Sequence, residues 1–107
     1  MKTYISGRMS GIKGFNYNTF NRAAKILRAS GCKHVLNPVE NGVPITAQRK
    51  DHIRADIKML LKADAIIMLP EWRKSKGAVL EREIAKQLEL KVLYWKKNVK
   101  NHNSKRS

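Results

Sequence analysis

The sequence predicts a single α/β domain built on a mostly parallel β-sheet. Short apolar segments alternate with amphipathic helical segments along most of the chain, which is typical of strands joined by helical crossovers. The segment "DAIIMLP" at 64–70 is an unbroken apolar run, as expected of a parallel strand covered on both faces. A length of 107 residues allows one small core and is too short for two.

The first half of the chain contains two predicted strands and one predicted helix. The segment "KTYISG" at 2–7 predicts a strand that ends at Gly7, and the glycine-rich residues 7–18 predict a long loop. The next segment predicts a helix capped by Asn18 or Thr19 and ended by Gly31. Its apolar residues follow the i, i+3, i+4, i+7 spacing: Phe20, Ala23, Ala24 and Leu27. "HVLNP" then predicts a strand that stops at Pro38.

The second half adds two helices and two strands. "VENGVPIT" predicts a loop with turn residues, and the helix after it is expected to bury one apolar face, formed by Ile53, Ile57, Leu60 and Leu61. The strand at 64–70 leads into the loop 70–77. A third helix follows, and "KVLYW" is the last predicted strand.

The resulting order β-α-β-α-β-α-β predicts a three-layer Rossmann/flavodoxin-like domain with a four-stranded, mostly parallel sheet. We expect this domain to cover residues 1–95, and the basic segment 96–107 to be a disordered tail. Ligands of such sheets bind beyond the carboxyl ends of the strands. The loops 7–18, 37–48 and 70–77 are therefore the predicted site.

Composition limits the classes of function. The net charge of +15, from 23 Lys and Arg against 8 Asp and Glu, attracts nucleic acids, nucleotides, phosphates or acidic protein surfaces without choosing among them. We expect no membrane span and no secretory signal, and the single Cys32 favours a reducing cytoplasm. The histidines His34, His52 and His102 and Cys32 lack metal-ligand spacing, so we expect neither a metal nor another cofactor.

Two of the predicted loops carry candidate anion-binding residues. Ser6, Gly7 and Arg8 follow the first strand, where small residues and a guanidinium suit a phosphate or a sugar, although a flexible glycine-rich turn explains them equally well. Ser75 and Gly77 open the third helix, whose N-terminal N–H groups favour an anion.

Two acidic residues are candidates for chemistry on a sugar. Glu81 lies one helical turn after Gly77, and Asp56 lies on the second helix at the border of its buried face. A pair of carboxylates around a sugar is the usual equipment for breaking a glycosidic bond. The alternative for Glu81, and the favoured interpretation of Glu83, is an acidic residue that stabilises the helix dipole. Trp72 is predicted either to stack on a base or to pack as a lid onto the core.

These segments resemble the nucleoside 2-deoxyribosyltransferase-like superfamily, which includes the 2′-deoxynucleoside 5′-monophosphate N-hydrolases, and most of all its short members from bacteria and phages. The resemblance extends from Met1 to about Trp95. It is carried by "YISGRMSG", by "NP" at 37–38, and by "RADIKMLLKADAIIMLPEW" followed by "SKGAVLEREIA".

The resemblance implies roles for individual residues. Glu81 matches the nucleophile that attacks the anomeric carbon, and Asp56 matches the aspartate that assists it and contacts the sugar. Ser75 falls where the hydrolases bind the phosphate. The first-strand motif, which lines the base and phosphate pocket in the superfamily, corresponds to Tyr4, Ser6, Gly7 and Arg8. The resemblance also implies a homodimer and a small-molecule nucleotide substrate.

Three hypotheses follow from the sequence. The leading one is a hydrolase that cleaves the N-glycosidic bond of (deoxy)nucleoside 5′-monophosphates. The second is a non-catalytic module that binds or sequesters a nucleotide. The third is a protein that binds nucleic acid through its basic surface, which the lack of interleaved basic and aromatic residues on a strand disfavours.

Overall fold

The computed structural model describes residues 1–9 and 11–96. Within these residues four strands alternate with three α-helices, in the predicted order. Their bounds are β1 (Lys2–Ser6), α1 (Tyr17–Ala29), β2 (His34–Leu36), α2 (Arg49–Leu61), β3 (Ala65–Met68), α3 (Lys76–Gln87) and β4 (Lys91–Tyr94). Apart from Lys96, the predicted tail lies outside the described residues.

The strands form one sheet in the order β2-β1-β3-β4. Every neighbouring pair is parallel, so the sheet is fully rather than mostly parallel. Tyr4 stands at its centre, opposite Leu36 on one side and Ile66 on the other. The chain leaves β1 toward β2 and then returns to the other side of β1 for β3. The carboxyl ends of β1 and β3 therefore form the switch point where sheets of this kind bind ligands.

Alternating side chains of the sheet supply both faces of the core, which gives the predicted three layers. On one face, Ile5 and Ile67 pack with Phe20 of α1. On the other, Tyr4 and Ile66 pack with Leu60 of α2 and with Ala85 of α3. Because residues two apart on a strand point to the same face, Ser6 points to the α2–α3 side with Tyr4.

The predicted start of α1 is wrong by two residues. The helix begins at Tyr17, and the N-cap position belongs to Asn16, which has a left-handed backbone with φ 62° and makes no side-chain cap. The Asn16 side chain instead donates from Nδ2 to the carbonyl oxygen of Arg8 at 2.8 Å. This contact joins the residue that precedes the helix to the first part of the loop. At the other end Gly31 has φ 104°, as predicted.

The predicted apolar face of α2 is wrong at Leu61. Leu60 is fully buried, whereas Leu61 is 58% exposed. Leu60 lies seven residues after Ile53 and so returns to the same side of the helix, while Leu61 is turned about 100° further round. No helix among residues 1–9 and 11–96 combines the length and the apolar character needed to cross a bilayer.

Candidate active site

A cavity of about 490 Å³ lies at the switch point of the sheet. All three predicted loops contribute to its wall, through Arg8 after β1, Asn41 after β2 and Ser75 before α3. α2 supplies His52 and Asp56. This volume falls within the range of about 300–1,000 Å³ that is usual for small-molecule sites.

Glu81 is the buried carboxylate of this cavity, with 9% of the residue exposed. Ser6 Oγ donates a hydrogen bond to Oε1 at 2.6 Å, and the Tyr4 hydroxyl donates to Oε2 at 3.0 Å. The two donors share one face of β1, and α3 packs against that face. Both carboxylate oxygens are therefore held in a fixed orientation.

The surroundings of Glu81 bring the pKa of its carboxyl group close to neutral pH. Burial raises the pKa of Glu81 to about 7, the hydrogen bond from Ser6 lowers it, the charge of Asp56 raises it, and the bond from Tyr4 lowers it. Burial, followed by the charges of Glu81 and Asp56, raises the pKa of Tyr4 well above its ordinary value. Tyr4 consequently keeps its proton and remains a donor.

Asp56 faces the same cavity from α2. Asn41 Nδ2 donates to Asp56 Oδ1 at 2.9 Å, and Asn41 Oδ1 in turn accepts from the Val43 N–H at 2.8 Å. Burial raises the pKa of Asp56, while the Asn41 bond and the charge of His52 lower it. Asn41 and His52 are site residues that were not predicted from the sequence. The i, i+4 spacing of His52 and Asp56 on a predicted helix was the available signal.

The N-terminus of α3 opens into the cavity through Ser75, Lys76 and Gly77. Ser75 is the N-cap of the helix, because its Oγ accepts from the Ala78 N–H at 3.1 Å. The N–H groups of Lys76 and Gly77 have no acceptor among the described residues. Lys74 adds a further cation to this wall. The arrangement provides N–H donors and positive charge for an anion.

The two glycines of the predicted site differ in what requires them. A Cβ on Gly7 would lie 2.9 Å from Leu69 Cβ, so Gly7 is needed for the chain to pass close to the residue after β3. A Cβ on Gly77 would meet only Ser75 Oγ, at 3.9 Å. The packing therefore does not require a glycine at 77, and its absent side chain leaves room in the cavity wall.

Arg8 lies in the wall with its guanidinium 3.6 Å from Glu71 Oε1. Lys74 approaches the same carboxylate oxygen at 3.9 Å. Glu71 thus links the cationic residues of the first and third loops on one side of the cavity.

Trp72 does not line this cavity. It is 9% exposed and packs in the core on the α2–α3 face, as in the lid interpretation of the sequence. The guanidinium carbons of Arg73 and Arg82 lie 4.6 Å and 4.9 Å from the centre of its ring. The geometry gives no support to Trp72 as a base-stacking residue of this cavity.

Two other aromatic residues of the cavity wall, Phe15 and Tyr17, lie within the predicted first loop, and Tyr17 is the first residue of α1 in the structure. Phe15 and Tyr17 line the cavity with their ring centroids 6.1 Å apart. Phe15 is 45% exposed and has φ 55°, an uncommon conformation for a bulky residue. Sequence reasoning missed both residues because the loop has no periodicity to place their side chains.

The described residues contain no group of three or more His, Cys, Asp and Glu side chains arranged to hold a metal ion. The profile of a protein family described as a domain of unknown function, DUF4406, matches residues 1–94. No curated protein matches the chain.

Proposed function

The chain belongs to the DUF4406 family, and from the geometry of its cavity we propose that it hydrolyses the N-glycosidic bond of a (deoxy)nucleoside 5′-monophosphate. The observation that carries this proposal is the buried Glu81 carboxylate, oriented by Tyr4 and Ser6 in a cavity that also contains Asp56 and the N-terminus of α3. The proposal includes membership of the nucleoside 2-deoxyribosyltransferase-like superfamily, which the sequence motifs support.

The first step is attack of the ionised Glu81 carboxylate on the anomeric carbon of the sugar. The bond from this carbon to the base nitrogen breaks, its electron pair goes to the base, and the base takes a proton from water. A glycosyl ester on Glu81 remains. Tyr4 and Ser6 favour the ionised nucleophile because each donates a hydrogen bond to it.

The second step is hydrolysis of this ester. A water molecule attacks the anomeric carbon and gives its proton to the Asp56 carboxylate, while Glu81 leaves as a carboxylate. The products are the free base and the sugar 5-phosphate, and Asp56 returns its proton to solvent.

The remaining wall of the cavity suits the other two parts of a nucleotide. The N–H groups at the start of α3, with Lys74 and Lys76, offer donors and positive charge to a phosphate dianion. Phe15 offers an exposed ring on which a base can stack. A monophosphate whose sugar lies between these two regions brings its anomeric carbon toward Glu81 and Asp56.

The experiment is incubation of the protein with a panel of ribo- and deoxyribonucleoside monophosphates, followed by chromatographic detection of free base. Glu81→Gln keeps the shape of the side chain and removes the nucleophile, so we expect base release to fall on the order of a thousandfold or more. Glu83→Gln is the matched control: Glu83 is exposed on the same helix and accepts only from Gln87 Nε2 at 3.0 Å among the described residues, so its loss should leave the rate unchanged.

Two results would contradict the proposal. One is release of base by Glu81→Gln at the rate of the unaltered protein. The other is calorimetric binding of a nucleotide without release of base, which would support the nucleotide-binding module in place of the hydrolase.

A further inference from the structure

We infer that Asn41 is a positioning residue that orients the Asp56 carboxylate and holds it as a proton acceptor for the second step of the reaction. This inference rests on the proposed function for its kinetic consequence. The contact itself is independent of that function: Asn41 Nδ2 donates to Asp56 Oδ1 at 2.9 Å.

The loop that carries Asn41 is fixed at its base by another asparagine. Asn37 is fully buried, and its Oδ1 accepts from the Val39 N–H at 3.1 Å. Its Nδ2 donates to Asn21 Oδ1 of α1 at 2.9 Å. The turn that begins at Asn37 continues with the Asn41 N–H, which donates to the Pro38 carbonyl oxygen at 3.1 Å. The chain that follows β2 therefore reaches Asn41 through a hydrogen-bonded turn.

The side-chain amide of Asn41 has only one orientation compatible with its neighbours. Its Oδ1 accepts from the Val43 N–H at 2.8 Å, which leaves the NH₂ group to face Asp56. A flipped amide would point an acceptor at the carboxylate and a donor at the Val43 N–H, losing both bonds. Asn41 is thus a fixed donor to Asp56.

A fixed neutral donor favours the ionised carboxylate of Asp56 and selects one of its oxygens. Among the described residues no hydrogen bond reaches Oδ2, so this is the oxygen left to receive a proton. Among titratable groups, His52 on the same helix lowers the pKa of Asp56, and the charge of Asp56 in turn raises the pKa of Glu81 on α3 and of Tyr4 on β1. The Tyr4 hydroxyl donates its hydrogen bond to Glu81, and the side-chain donor that contacts Asp56 is Asn41.

Loss of the Asn41 donor should affect the two steps of the reaction differently. The first step uses the Glu81 carboxylate and needs no proton acceptor, whereas the second step requires Asp56 to take a proton from the attacking water. Loss of the Asn41 donor should therefore slow hydrolysis of the glycosyl ester more than its formation.

The first test does not depend on any substrate. The pKa of the Asp56 carboxyl is measured by carbon-13 NMR titration of the full chain and of two variants. Asn41→Ala removes the donor. Asn41→Asp keeps an oxygen that accepts from the Val43 N–H, and so keeps the turn, but replaces the donor by a second acid. We expect the Asp56 titration to move up by about one pH unit in Asn41→Ala and further in Asn41→Asp. An unchanged titration in both variants would overturn the inference.

The second test separates the two steps in pre-steady-state kinetics. Asn41→Ala should show a burst of base release followed by a turnover lowered roughly tenfold to a hundredfold, which is less than the roughly 10²–10⁴-fold effect of general-base catalysis because Asp56 itself remains. Azide is a nucleophile with no proton to remove, so it should restore turnover in Asn41→Ala. Glu40→Gln, an exposed change in the same turn, should behave as the unaltered protein does.

Equal slowing of both steps in Asn41→Ala, without rescue by azide, would overturn the inference while leaving the hydrolase proposal intact. If the unaltered protein releases no base, the hydrolase proposal fails, and the NMR titration still decides whether Asn41 controls Asp56.

Discussion

The protonation state of the Glu81 carboxyl depends on two hydroxyl groups that reach it from β1. Ser6 and Tyr4 each donate to a different oxygen of Glu81, at 2.6 Å and 3.0 Å. Because the nucleophile must be ionised, the rate of base release should rise with pH through the pKa of Glu81, which is about 7. Both donors favour the ionised form, so removing either should raise that pKa.

We therefore expect Ser6→Ala and Tyr4→Phe to move the rising limb of the pH–rate profile to higher pH. Hydrogen bonds to charged groups contribute about 1.5–3 kcal/mol, which corresponds to a shift of about one pH unit or more. The shift should be larger for Ser6→Ala because its bond is the shorter of the two and the stronger influence on the pKa of Glu81. Measuring kcat/KM between pH 5 and pH 9 is the test, and a limb that stays in place in both variants would contradict it.

At the scale of the element, the N-terminus of α3 has a structural and a proposed binding role at the same residue. Ser75 caps the helix by accepting from the Ala78 N–H at 3.1 Å. The same helix end lines the cavity with Lys76 and Gly77. A substitution that preserves the cap and changes the charge can separate these two roles.

Ser75→Asp is that substitution, because aspartate also accepts from the N–H at the third helical position. We expect its free energy of unfolding to match or exceed that of the unaltered protein, while KM for a nucleoside monophosphate rises roughly tenfold or more from repulsion between two anions. Ser75→Ala should lose about 1 kcal/mol of stability with the cap and should affect KM less. Chemical denaturation and steady-state kinetics measure both quantities. If Ser75→Asp left KM unchanged, the phosphate would have to bind elsewhere.

At the scale of the whole molecule, the alternation of strands and helices was predictable because the elements that face the core carry apolar patterns, helical spacing in the helices and an unbroken apolar run in β3. The run at 64–70 is covered by α1 on one face and by α2 and α3 on the other, and its residues from Ala65 to Leu69 are all buried. The positions of Glu81 and Asp56 were also predictable, because each acid borders the apolar face of an amphipathic helix and that face packs on the sheet.

The missed residues lie where no periodicity acts. Phe15 is placed by three successive left-handed residues, Gly14 to Asn16, whose conformations no local pattern specifies. Asn41 is placed by a turn that depends on Asn37 and through it on α1. Trp72 was ambiguous in the sequence because a loop tryptophan serves equally well as a lid or as a ligand contact, and its stacking with Arg82 of α3 is a tertiary contact.

The burial of Glu81 has a consequence for the stability of the whole fold. The pKa of Glu81 rises from an ordinary value of 4.5 to about 7 on folding, so the folded state holds a proton there that the unfolded state has lost. The stabilisation is complete below pH 4.5 and is lost as the pH rises through 7. A shift of this size corresponds to about 3 kcal/mol between pH 4.5 and pH 8.5.

Glu81→Gln isolates this contribution, because its amide is neutral at every pH and can still bond to both hydroxyl groups. The comparison between the two proteins matters because the net charge of +15 adds its own pH-dependent self-repulsion, which both share at low pH. We expect urea denaturation to give similar free energies of unfolding at pH 4.5, and a variant more stable than the unaltered protein by about 2–3 kcal/mol at pH 8.5. Parallel stability curves across this range would mean that Glu81 is ionised at no cost in the folded protein. The carboxylate would then be solvated rather than held in a buried site, and the geometry on which the proposed nucleophile depends would be lost.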